Sequence, residues 1–329
     1  MKVWALALWL LALEACTQSI AKLPTSKPAN PQITLAADPL PLNPAHPDQS
    51  GVGNFTYSGG LVLSSKTTSQ LHGLSDLRVQ PDGTLFAESD EGGFLSAHLV
   101  LDQGGRLKGL GDGKLTLLTG PDGKPLPSKQ EADAEGLAIL ENGDRLISFE
   151  HHHRILLYPA RGGPPHEVPS PKVDFPENGG MEGLAQDPAR GADAYVVGGE
   201  VSGQTWACSL HKGCEMGPTI PKPADFGLVA LAPLPGDRLA YLLRAWDPLS
   251  GCRIALVIHD RQGRVLDRLD LKYPFTVDNF EGLAAVPGIH GTIRFYLISD
   301  DNFSPAERTL LLAFDWMPMT EKPTPAPNG

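Results

Sequence analysis

The chain has 329 residues and a formal net charge of −11, and Gly (36) and Pro (31) together make about a fifth of it. That share exceeds the roughly 12 % of an average protein but stays below low-complexity disorder; with 41 % hydrophobic residues it predicts a folded, turn-rich, all-β chain. The acidic balance argues against nucleic acid as a partner, because phosphate backbones need Lys and Arg, and it permits a cation site.

Residues 1–21 read as a secretory signal, with Lys2 before an apolar run over 3–13 that is too short to span a bilayer. Two endings compete. Ser19-Ile20-Ala21 resembles a cleavage site, and Leu13-Glu14-Ala15-Cys16 resembles a lipobox, in which lipidated Cys16 would tether the chain to a membrane. Residues 22–52 are rich in Pro, Ala and Asn and predict a flexible tether. Both endings predict an exported protein, periplasmic or held at the outer membrane.

From residue 53 a repeat takes over. Glu-Gly-Leu occurs at 135–137, 182–184 and 281–283, and each copy opens an apolar run, a turn and a second apolar run. Two further hairpins, from Ser75 and from Gly227, follow the same plan, giving five hairpins that start 45 to 60 residues apart. Asn142-Gly143 is the clearest turn, since Asn-Gly between apolar runs is the strongest short hairpin signal. Additional strands at 94–101, 154–158, 204–208, 254–259, 265–271 and 309–316 extend the hairpins. Repeated hairpins with one or two added strands describe the blades of a β-propeller. Five blades are predicted, with a sixth only if residues 107–131 hide one. A strand at 54–64 is expected to complete the last blade and close the ring. The domain then runs over 53–318, and 319–329 form a disordered tail. Cys208 and Cys214 flank a short loop and make a natural disulfide, leaving Cys252 free; the alternative is three reduced thiols. Trp206, Trp246 and Trp316 are expected in blade packing.

Hairpin geometry places the acids, because residues equidistant from a turn face one another. Glu135 should meet Glu150 and His151; Ser75 and Asp76 should meet Ser89 and Asp90; Glu182 should meet Glu200; Glu281 should meet Asp300 and Asp301. The fourth hairpin departs, carrying Arg244 and Asp247 instead. Carboxylates converging on one mouth raise one another's pKa unless a cation intervenes, and an all-oxygen donor set suits Ca²⁺. The candidate metal ligands are therefore Asp76, Glu135, Glu150, Glu200, Glu281, Asp300 and Asp301. Glu182, His151 and Arg244 are the candidate catalytic residues, with His72 a second candidate base. The competing reading has each acid capping a turn. In Glu150-His151-His152-His153, strand alternation would put only His151 and His153 on one face, a poor transition-metal site. No nucleophile-elbow, phosphate-loop or zinc-helix motif occurs.

The segments Gly73-Leu74-Ser75-Asp76-Leu77-Arg78, Asp133-Ala134-Glu135-Gly136-Leu137, Ile147-Ser148-Phe149-Glu150, Glu182-Gly183-Leu184, Asn279-Phe280-Glu281-Gly282-Leu283 and Leu297-Ile298-Ser299-Asp300-Asp301-Asn302 resemble the bacterial phytase-like family described as "esterase-like activity of phytase". The resemblance covers residues 55–317. It implies an exported β-propeller that hydrolyses phosphoric or carboxylic esters. By analogy with calcium-dependent propeller phytases it implies calcium at Glu135, Glu182, Glu281, Asp300 and Asp301. Two function classes follow: a divalent-cation-dependent hydrolase of a small-molecule ester or phosphate ester, and a non-catalytic periplasmic propeller that binds a ligand or partner protein.

Overall fold

The computed structural model describes residues 31–260 and 262–318. The signal segment, Cys16 and the tail at 319–329 lie outside the described residues. The chain starts with β1 (Leu35–Pro39), β2 (Gly51–Val52) and β3 (Phe55–Ser65). Blade 1 follows as β4 (Leu74–Val79), β5 (Thr84–Ser89), β6 (Gly93–Leu101) and β7 (Leu107–Leu117). A one-turn helix, α1 (Lys129–Ala132), precedes blade 2, which is β8 (Ala134–Ile139), β9 (Arg145–Phe149), β10 (Arg154–Tyr158) and β11 (His166–Val168). Blade 3 is β12 (Gly183–Gln186), β13 (Ala194–Gly198), β14 (Gln204–Ser209) and β15 (Gly213–Thr219), and blade 4 is β16 (Gly227–Leu234), β17 (Arg238–Asp247), β18 (Gly251–His259) and β19 (Val265–Leu271). Blade 5 consists of β20 (Phe280–Pro287), β21 (Ile293–Ser299) and β22 (Leu310–Trp316), completed by β3, which pairs antiparallel with β22. The ring therefore closes through an N-terminal strand, as expected.

Residues 107–117 form the outer strand of blade 1, so they supply no sixth blade. Residues 31–52 also differ from the expected flexible tether. β1 pairs with β3, the Pro31 and Ile33 backbones bond to Leu115 and Gly113 of blade 1, and the Leu42 carbonyl accepts from Thr276 N beyond blade 4. Leu42 is fully buried. This segment thus straps the outside of the closing blade. Its polar composition concealed two anchors, Ile33 and Leu42, which are too few to show periodicity.

Alternating side chains along each strand face the two neighbouring blades. The buried apolar residues accordingly divide into five clusters, one at each seam between blades. Cys208 and Cys214 are joined across β14 and β15, and Cys252 is free.

At the axis, the five inner strands bring Leu77, Leu137, Leu184, Leu231 and Leu283 to equivalent positions. Arg78 donates to the carbonyls of Leu77, Leu184, Leu231 and Leu283. Asp76 pairs with Arg78 at 2.9 Å and accepts from the N–H groups of Leu77, Leu137 and Leu283. One ion pair from blade 1 therefore touches the inner strands of all five blades and plugs the channel. The Glu-Gly-Leu glycines surround this hub because the chains approach closely there. A Cβ on Gly136 would lie 2.6 Å from the Glu182 carbonyl oxygen, and one on Gly282 would lie 2.8 Å from the Asp76 Cα.

Candidate functional site

Above the plug lies a cavity of about 290 Å³. Its position follows from a repeated irregularity: the ladder slips by one residue at the head of β4, β8, β16 and β20. The extra residue leaves the ladder, as in a β-bulge. In blades 1, 2 and 5 that residue is Ser75, Glu135 and Glu281, all lining the cavity. Glu182 occupies the matching place just before β12. In blade 4 it is Val229, which is buried in the apolar seam instead. A second tier comes from the ends of the second strands: Asp90, Glu150, Glu200 and Asp300, with Arg244 in blade 4. Asp133 and Lys129 complete the charged lining.

Eight carboxylates thus face Lys129, Arg244 and His151. Lys129 bonds Asp90 at 2.7 Å and also Asp133. Arg244 pairs with Glu281 at 2.9 Å and Glu200 at 3.5 Å, and donates to the Asn279 side chain. Glu150 accepts from Gly179 and Gly180 N–H through Oε1, and Asp300 from Asn302 N–H at 2.8 Å. Glu135 and Glu182 have no hydrogen bond or ion pair among the described residues, although Glu182 is only 8 % exposed. Burial pushes Glu182 and Glu135 well above the usual carboxylate range, and neighbouring carboxylates add to it. Asp300 is raised in the same way. Burial lifts Asp90 to about 7 against the pull of Lys129. Burial opposes the charge of Lys129 as well, but Asp90 and Asp133 outweigh it and hold the ammonium above its ordinary range.

Of the sequence-derived candidates, Glu135, Glu150, Glu182, Glu200, Glu281, Asp300, His151 and Arg244 are brought together here. Asp76 is not: it is fully buried in the channel plug, its oxygens held by Arg78 and backbone N–H groups. It stands where blades 2, 3 and 5 carry Gly136, Gly183 and Gly282 and blade 4 carries Ala230, so hairpin symmetry misplaced it. Asp301 is also elsewhere, accepting from Gly73 N–H, Phe303 N–H and the Thr309 hydroxyl, which is the turn-capping role. His72 packs edge-on against Phe303 at 4.0 Å between ring centroids and does not line the cavity. The segment at 150–153 is a turn rather than a strand, and its three histidines diverge. His151 Nε2 meets Asp133 at 2.9 Å, His152 meets Glu131, and His153 meets the Pro176 carbonyl.

Lys129 and Asp133 were not legible as site residues. They sit on and just after α1, whose Ser128 cap accepts from Glu131 N–H, in a stretch without strand alternation. Asp133, Glu150 and His151 place ligand atoms within 4.8 Å of one another. Asp133 already serves Lys129 and His151, however, and Glu150 serves the backbone. Glu150 does so through Oε1 alone, so its Oε2 and the unpartnered Glu135 and Glu182 are the oxygens open to a hard cation or a proton.

Fold and site together define a five-bladed β-propeller with an acidic cavity at one end of a plugged channel. The chain belongs to the phytase-like family described as "Esterase-like activity of phytase", whose profile matches residues 69–303. No curated protein matches. Among solved structures the chain is similar to a streptogramin B lyase (12 % identity, covering 86 % of this chain and 98 % of that one, TM-score 0.42). It is also similar to a putative gluconolactonase (12 %, 88 % and 91 %, TM-score 0.47) and to virginiamycin B lyase from Staphylococcus aureus (12 %, 86 % and 100 %, TM-score 0.43).

Proposed function

We propose that the cavity binds a divalent cation, calcium by its oxygen donors, and hydrolyses a phosphoric ester held against it. The observation that carries this reading is the charge imbalance: eight carboxylates surround about 290 Å³ with Lys129 and Arg244 as fixed counter-charges, and Glu135 and Glu182 are left without partners. A buried carboxylate is costly unless paired, and six unbalanced negative charges in this volume need either protons or a cation. Glu135, Glu150 and Asp300 are the proposed ligands, with Glu200 and Glu281 behind them. A bound calcium would supply positive charge for the phosphoryl oxygens and acidify water.

Glu182, lining the cavity without a partner, is the proposed acceptor of the attacking water's proton. Water adds to phosphorus, the bond from phosphorus to the alcohol oxygen breaks, and the alcohol leaves with the proton Glu182 received. Arg244, at the gap in the acidic ring, orients a phosphoryl oxygen. Export is part of the proposal. It rests on the reading of residues 1–21 and agrees with the Cys208–Cys214 disulfide, since such bonds persist in oxidising compartments.

The non-catalytic alternative gains from one observation. His151 Nε2 is engaged by Asp133 and its Nδ1 is buried without a partner, so neither nitrogen is available as a base. Calorimetric calcium titration and turnover of 4-nitrophenyl phosphate in calcium, magnesium or EDTA separate the two. The hydrolase reading expects calcium-dependent turnover that Glu182→Gln lowers by about 10²–10⁴-fold, the usual worth of a general base. Calcium binding with no turnover of any phosphate or acyl ester establishes the binding propeller instead, and no calcium binding sinks both cation readings.

A further inference from the structure

We propose that blade 4 carries an apolar shelf beside the cavity, so that the esters taken by the proposed hydrolysis bear an aryl or alkyl group; this rests on the hydrolase reading above.

Blade 4 is where the acidic ring is interrupted, with Val229 and Arg244 in place of the two acids. Arg244 and Trp246 are two residues apart on β17 and share a face of the sheet. Trp246 lies opposite Cys252 in register, so Cys252 shares that face. Ala240 and Leu242, which have the same parity on β17 as Arg244 and Trp246, pack in the seam between blades 4 and 5. The shared face therefore looks toward blade 5; Arg244 lines the cavity, and Trp246 follows it on the same face toward the open end of the blade.

Trp246 was expected in blade packing. Trp206 and Trp316 are 6 % and 2 % exposed, whereas Trp246 is 64 % exposed. Leu249, in the turn after β17, is 98 % exposed, and Tyr273, just past the end of β19 at the same end of the blade, is 83 % exposed. Around blade 2 the corresponding end is charged, with Glu131 and His152 paired there. Blade 4 also carries the ion-paired Arg253, Asp225 and Asp247 at this end, so the apolar surface there is that of Trp246, Leu249 and Tyr273.

Volume selects the occupant. About 290 Å³ is at the floor of the range of about 300–1,000 Å³ for small-molecule pockets. The plug formed by Asp76 and Arg78 prevents a longer ligand from extending down the channel. A head group fits inside, and the rest of an ester has to cross the rim. A flat apolar substituent leaving the cavity past Arg244 meets the indole of Trp246, where aromatic stacking adds to the area buried.

Phenylphosphonate and methylphosphonate test this, because neither has an ester bond to cleave and they differ only in the substituent. The calcium-loaded full chain is titrated with each, by calorimetry and by tryptophan emission. The expected result is phenylphosphonate binding at least about fivefold tighter, with an emission change missing from Trp246→Ala. The affinity ratio falls to about one in Trp246→Ala and is largely restored in Trp246→Phe. Equal affinities in the unmodified chain, or a ratio unchanged in Trp246→Ala, overturn the shelf while leaving the hydrolase reading intact. Absence of calcium and phosphonate binding overturns both together.

Discussion

Arg78 shows how much one side chain can hold together. Its guanidinium serves carbonyls of four blades, and its partner Asp76 reaches the fifth. Burial pushes Asp76 up to about 6 against the pull of Arg78 and of the backbone N–H groups that serve it. Removing one member of a buried pair costs about 3–5 kcal/mol, because the other charge stays behind without a partner. Arg78→Met is therefore expected to lose about that much in urea denaturation, and a loss under about 1 kcal/mol would refute the hub. Next to the hub, Glu88 is fully buried and neither oxygen has a hydrogen-bond partner. Burial raises it well above the usual carboxylate range, and the Asp76 charge adds to this. A carboxyl whose folded pKa is raised contributes its full stability below the unfolded value of about 4.3 and loses it as the pH climbs toward the folded value. The melting temperature of Glu88→Gln relative to the unmodified chain should consequently rise between pH 4 and pH 8; a difference flat with pH sinks this assignment. None of this was legible in the sequence. Asp76 in the Glu-Gly-Leu frame looked like one more mouth acid, and periodicity carries no information about the axis of a ring.

At the scale of the element, the hairpins were legible and the bulges were not. Local turn chemistry writes a hairpin into the sequence: Gly143 and Gly83 adopt positive φ at 85° and 87°, as the Asn-Gly and Asp-Gly signals demand. The equidistance rule brought Asp90, Glu150, Glu200 and Asp300 to the mouth, where they line the cavity, but it also put Asp301 there, which caps a turn instead. A one-residue slip, by contrast, depends on what the neighbouring blade offers. Gly136 illustrates this. A Cβ there would also come within 2.7 Å of the Ser148 hydroxyl and 2.8 Å of Leu184 Cβ, so at this seam the bulge that presents Glu135 is packed too closely for a side chain at position 136. Gly136→Ala must push β8 away from β12. The expected cost is about 1–3 kcal/mol, as for overpacked interiors, together with weakened calcium binding as Glu135 is displaced from the other ligands. Measured calcium affinity equal to that of the unmodified chain would show that the bulge does not position the site.

For the whole molecule, the ring has to resist opening at its one non-covalent seam, and three features act there. β3 closes blade 5, the strap at 31–52 spans that blade from Gly113 to Thr276, and the hub ties the axis. The cavity works in the opposite sense. Its acids come from blades 1, 2, 3 and 5, so in the absence of a cation their mutual repulsion pushes blades apart, within a chain that already carries −11. A cation shared between blades removes the repulsion and becomes a further fastening. Because it would bind the closed ring and not the unfolded chain, its stabilisation follows mass action, about 2.7 kcal/mol when the free ion is at 100 times its Kd. Calcium should therefore raise the melting temperature in proportion to the logarithm of its concentration, EDTA should reverse the gain, and Glu135→Gln with Glu182→Gln should raise the EDTA melting point while shrinking the calcium increment. The double substitution discriminates because ordinary ionic screening would act on the remaining surface charge of both proteins alike. If the calcium increment is the same in both, or if sodium at equal ionic strength reproduces it, the cavity acids are not the site of the cation.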